Sequence, residues 1–342
     1  MSDSKKLQEA LNKIAELANE AINATPHGAS GDSDAEESKN IGCSIKALPS
    51  RLHSRAAQSA VKINPVNAPG VENMMELGSV IPDNPQFLTL LVSKYWGATP
   101  RKLTVSFMES PSAALKKRIV SHMNAWSKTA CITFVETTGV GQVRISFTGS
   151  GYWSYLGTDI LLIPKDRPTM NLQSFSMNTQ ESEYARVVRH ETGHTLGFPH
   201  EHMRKELVNR IDKNKAYAYF QRTQGWDKKT VDAQVLTPLV DGTITGTAAD
   251  QTSIMCYQLP GAITKDGKPI VGGLDINNTD FTFAGKIYPK PGSKIMAEQH
   301  SLAPQDDKED DDWSESEDVQ DTEIEEILKS THVKSNGSEV EA

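Results

Sequence analysis

The chain has 342 residues, enough for one large or two smaller cores, but only 37% of them are hydrophobic, so unstructured ends dilute a globular centre. The formal net charge of −8 sits in the last stretch: over residues 303–342 Asp and Glu outnumber Lys fifteen to three, leaving about +4 for the rest. No apolar run approaches a membrane span, and three widely spaced cysteines without a CxxC pair exclude a disulfide framework or a cysteine-built metal site.

In chain order, Leu7, Leu11, Ile14, Ala18 and Ala21 recur at helical spacing and predict an amphipathic helix rather than a secretory signal. Residues 25–85 are rich in Gly, Ser, Asp, Pro and Asn and read as a linker or prosegment, with Ile45 to Leu52 as the part able to dock. A compact unit begins near Pro85. Strands are expected at Lys102–Phe107, Cys131–Glu136, Gln142–Phe147, Asp159–Ile163 and Met170–Ser174. Ser112 caps a helix carrying Leu115, Ile119, Met123 and Trp126, and a second helix runs from about Ser182 to Leu196. Further helices are expected near Lys213–Gln221, Lys228–Val235 and Asn278–Ile287, followed by a disordered acidic tail. Strands first and helices later imply an α+β unit of two lobes. The expected division is therefore 1–85, 86–290 and 291–342.

The informative string is VVRHETGHTLGFPHEHMR. Residues four apart share one helix face, so His190 and His194 present two imidazoles to one ion. Gly197 can take the left-handed conformation that turns the chain, returning His200 as a third ligand. Three imidazoles leave one zinc position open for water, which separates a catalytic site from a closed structural one. Glu191, beside the first ligand, reaches the same opening and serves as base for a zinc-activated water.

HETGHTLGFPHE resembles the extended HExxHxxGxxH signature of the metzincin peptidases, and Glu201 with the turn Ser253-Ile254-Met255-Cys256-Tyr257 is similar to the astacin branch. The resemblance covers about residues 88–288. It implies a two-lobed α+β catalytic domain with a twisted, mostly parallel sheet, an antiparallel edge strand, and one Zn2+ per chain in the interlobe cleft. It further implies Met255 as a hydrophobic floor beneath the metal and Tyr257 as a displaceable ligand that stabilises the developing oxyanion. Met170-Asn171-Leu172 looks like the edge strand that pairs with an extended peptide. The chain departs from the family in lacking a visible signal peptide and paired disulfides. Glu201 is expected to bridge to Arg204, and Asp32 and Cys43 are candidate latches on the metal.

The function so implied is zinc-dependent endopeptidase, acting on extended peptide or protein substrates, with no nucleic acid or membrane as partner. Two alternatives stand beside it: a zinc-retaining peptide-binding protein without turnover, and a metal-dependent amidase. Without a visible leader or membrane span, the sequence suggests a cytoplasmic or non-classically exported protein.

Overall fold

The computed structural model describes residues 43–68, 93–239 and 249–293. The N-terminal amphipathic helix, Asp32 and the acidic tail lie outside the described residues.

Six strands form one sheet. They are β1 (Cys43–Ile45), β2 (Arg101–Phe107), β3 (Ile132–Glu136), β4 (Val143–Ser146), β5 (Tyr152–Ser154) and β6 (Met170–Leu172), ordered β1-β5-β6-β4-β2-β3. Neighbours are parallel except β5, which pairs antiparallel with β6. Leu103, Val105, Val143 and Ile145 are fully buried, as central parallel strands covered on both faces require. Between the strands lies helix α2 (Ala113–Met123), which follows α1 (His53–Ile63). Ser112 caps α2 by accepting from the Leu115 N–H at 3.2 Å, and Leu115, Ile119 and Met123 face the sheet.

A second core lies in the other lobe. Leu207, Ile211 and Ile263 pack there with Ala216 and Phe220 of α4 (Lys213–Gln224); between them and the sheet in sequence runs α3 (Arg189–Thr195), described below. The chain closes with α5 (Asn278–Ile287), whose Asn277 and Asp280 form a reciprocal capping box. Met255 belongs to the first core and Cys256 to the second, so this turn stands where the lobes meet.

Three expectations are corrected. Asp159–Ile163 is not a strand: Gly157–Leu162 winds as a 3-10 turn. There Asp159 turns inward to pair with buried Lys94 at 3.3 Å, and the Thr158 N–H donates to the Lys94 carbonyl at 3.1 Å. Met170–Leu172 is not an edge, because β5 and β4 flank it; β5 is the antiparallel strand, and β1 takes the outermost place beside it. Within the stretch whose composition reads as linker, α1 buries Ala56, Ala57, Ala60 and Val61. Leu48 and Leu52 of the expected docking segment pack with Ala56 and Ile163.

Candidate active site

Tyr184, Val187 and Val188 anchor the approach to α3 in the first core through a π-helical turn, Tyr184–Val188. The Trp126 Nε1–H donates to the Arg189 carbonyl at 2.8 Å, fixing where α3 begins. Gly193 carries no side chain because Met255 lies against it: a Cβ there would stand 2.3 Å from the Met255 Sδ. Met255 is itself buried and its carbonyl accepts from the Glu201 N–H at 2.8 Å, so it sits beneath the ligand helix and also holds the chain beyond it. The helix stops at Gly197, whose φ of +93° is left-handed, and a Cβ there would lie 2.9 Å from the Lys94 carbonyl oxygen. Tyr288 Oη donates to the Leu196 carbonyl and Trp96 Nε1 to that of Thr195, satisfying the last carbonyls of the helix.

The bend brings His200 back to the two helical histidines. Its Nε2 lies 3.3 Å from that of His190 and 3.1 Å from that of His194. The far ring nitrogens of the helical pair meet backbone carbonyls: His190 Nδ1 at Ile254 O, 2.6 Å, and His194 Nδ1 at Phe198 O, 2.8 Å. Carbonyls only accept, so each Nδ1 donates and each Nε2 lone pair faces the common centre. Burial holds all three rings neutral, pushing His190 down to about 4 and His194 and His200 well below the usual imidazole range. Tetrahedral zinc with nitrogen ligands at about 2.05 Å requires neighbouring nitrogens about 3.3 Å apart, so the trio fits that ion.

Glu191 is fully buried, and among the described residues its carboxylate meets no hydrogen-bond partner but the Cys43 thiol. Desolvation pushes its carboxyl up to about 8. Cys43 Sγ, a nitrogen of His190 and a Glu191 oxygen all lie within 4.8 Å of one another. The strand β1 thus delivers a thiol to the His190–Glu191 side of the centre, and burial raises that thiol well above its ordinary range.

Tyr257 stands with its ring centroid 6.2 Å from that of His200, and burial raises its phenol. Its N–H donates to His202 Nδ1 at 3.3 Å, which leaves His202 Nε2 to donate to the Gln234 carbonyl at 2.9 Å. Glu201 bridges to Arg204 Nε at 3.1 Å, as the sequence suggests, and also accepts the Asp250 N–H at 3.1 Å. The residues expected to form the site therefore gather at one place. Gly193, His202 and Gln234 escaped the sequence reading. Of these only Gly193 carried a signal, since a glycine inside a helix costs about 1 kcal/mol and marks a close approach.

A two-lobed α+β unit with a helix-and-bend histidine trio over a methionine turn is the architecture of the metzincin class. The family model described as Astacin, a peptidase family, matches residues 91–271, and the chain belongs to that family. Its zinc metalloproteinases use zinc, for which His190, His194 and His200 supply a group able to bind it. Among relatives, the zinc metalloproteinase nas-27 of Caenorhabditis elegans is 25% identical over 177 residues, covering 50% of this chain and 36% of that protein. Protein SpAN of Strongylocentrotus purpuratus is 26% identical over 221 residues, 58% of this chain and 32% of its own length. The chain spans about a third of the length of these curated relatives. A solved structure of myroilysin is 34% identical with a TM-score of 0.54, covering 58% of this chain and 96% of that one. Among the described residues no helix is long and apolar enough to cross a membrane.

Proposed function

We propose that this chain is a zinc-dependent endopeptidase in which His190, His194 and His200 hold the metal and Glu191 is the general base. The observation that carries the reading is the Glu191 carboxylate, buried beside three converging imidazole nitrogens with no partner but the Cys43 thiol. When bound, zinc supplies Lewis acidity, polarising the scissile carbonyl and acidifying water. Glu191 takes the proton of the attacking water and returns it to the leaving amine. Tyr257, fixed at its backbone by His202, directs its phenol at the developing oxyanion. The β5 edge offers backbone groups to an extended peptide, which favours protein substrates over small amides.

Residues 1–85 act as a prosegment, 86–290 as the catalytic unit and 291–342 as an acidic tail. β1 occupies the β5 edge, and Cys43 stands where the reaction would run, so the folded full chain is latent until that segment is displaced. The test is casein hydrolysis by the full chain and by Cys43→Ala, with and without o-phenanthroline, alongside Glu191→Ala and Tyr257→Phe. Chelator-sensitive cleavage, greater in Cys43→Ala and abolished in Glu191→Ala, is the expected result. Stoichiometric zinc without cleavage of any peptide would replace this reading with that of a zinc-retaining binding protein.

A further inference from the structure

In an extended chain, successive residues turn their backbone groups to opposite sides. Laid against β5, the segment after Cys43 follows this rule: the Lys46 N–H donates to the Ser154 carbonyl at 2.9 Å. Ile45, one residue earlier, faces away from the sheet, toward the second lobe. Both its backbone groups meet one side chain there. The Ile45 N–H donates to Gln234 Oε1 at 3.3 Å, and Gln234 Nε2 donates to the Ile45 carbonyl at 3.1 Å. A carboxamide carries the donor and acceptor of a peptide group, so Gln234 does for Ile45 what a neighbouring strand would do.

The backbone of Gln234 is held independently of β1. Its own carbonyl accepts from His202 Nε2 at 2.9 Å, and the adjacent Val235 is buried in the second core. The cleft therefore has two hydrogen-bonding walls, β5 on one side and, on the other, a single carboxamide carried on an anchored backbone. Any extended peptide in this register has a residue whose N–H and C=O face away from β5. That residue lies two along from the one beside the metal centre, as Ile45 does from Cys43.

We infer that Gln234 is a substrate-binding residue, a two-bond clamp on the peptide backbone that the chain's own Ile45 fills until it is displaced. The inference rests on the endopeptidase reading, and it adds a specificity element: the clamped residue must offer an N–H, so proline is rejected there while other side chains are tolerated. Two net hydrogen bonds predict an affinity loss of roughly five- to hundredfold when they are removed.

The test has two arms, both on the full chain. In the first, the rate at which iodoacetamide labels Cys43, located by peptide mapping, is compared between the native protein and Gln234→Ala. Loss of the clamp should speed labelling by a factor within that range. In the second, Cys43→Ala/Ile45→Pro expels the occupant. Dissociation constants for a short fluorescein-labelled, proline-free peptide are then measured with Gln234 and with Ala at that position, together with KM and kcat for its hydrolysis. Weaker binding and a raised KM, with kcat within about twofold, support the clamp. Faster labelling with unchanged peptide affinity confines Gln234 to its own chain and overturns the inference, as do unchanged values in both arms. Weaker binding of a peptide that is never cleaved upholds the clamp and removes the endopeptidase reading instead.

Discussion

Replacing Glu191 by Gln should make the metal-free protein more stable while removing its chemistry. The native carboxyl titrates at about 8 against 4.5 for the ordinary group, because burial disfavours its charge. The folded state thus holds this proton more tightly than the unfolded state. Its contribution to stability falls as pH rises from about 4.5 and levels off above about 8. At pH 7 the 2.5-unit interval at 1.36 kcal/mol per unit amounts to a penalty of about 3 kcal/mol. Glutamine, of the same shape and never charged, should relieve it, raising Tm by roughly 6 to 12 °C for a domain of this size. Melting curves of chelated native protein and Glu191→Gln, at pH 5 and pH 7.5, measure the effect. The gain should appear at pH 7.5, shrink at pH 5, and diminish with zinc restored, since the cation holds the carboxylate ionised. A variant that melts no higher than the native protein at pH 7.5 would refute the reasoning.

Gly197→Ala places a side chain at φ +93° and within 2.9 Å of the Lys94 carbonyl oxygen. A loss of about 1–3 kcal/mol is expected in thermal melts, with weaker zinc retention against a competing chelator because the bend that returns His200 is disturbed. Lys94→Met strands the buried Asp159 carboxylate and should cost about 3–5 kcal/mol, most of it recovered in Lys94→Met/Asp159→Leu; denaturant titration of the two variants checks this.

The gathering of the candidate site was legible because it is local. His190, Glu191, His194, Gly197 and His200 lie within eleven consecutive positions, and helix periodicity with one left-handed residue determines how they meet. Asn278–Ile287 was legible for the same reason, having its cap and periodicity in one stretch. What escaped depends on distant partners. β5 has three residues in a glycine-rich surround and exists through its neighbours β6 and β1. Asp159 turns inward to meet a lysine sixty-five positions earlier, which no local pattern around Asp159–Ile163 records. Helix α1 uses a narrow alanine face, too weakly apolar to stand out between stretches rich in Gly, Pro and Asn. Gln234 acquires meaning only when the second lobe places it across the groove from β5.

The caps on the helix that carries His190 and His194 come from opposite ends of the folded unit. Trp96 holds the Thr195 carbonyl, Tyr288 holds that of Leu196, and the Trp96 N–H donates to Tyr288 Oη across 192 positions of sequence. During synthesis, which proceeds from the N-terminus, residues 190–200 emerge well before Tyr288 can reach them. Trp96 is made first and can cap Thr195 early, but the Leu196 carbonyl is capped only after the last helix of the unit has left the ribosome. The histidine trio thus receives its last outside support only once the whole folded unit has been made.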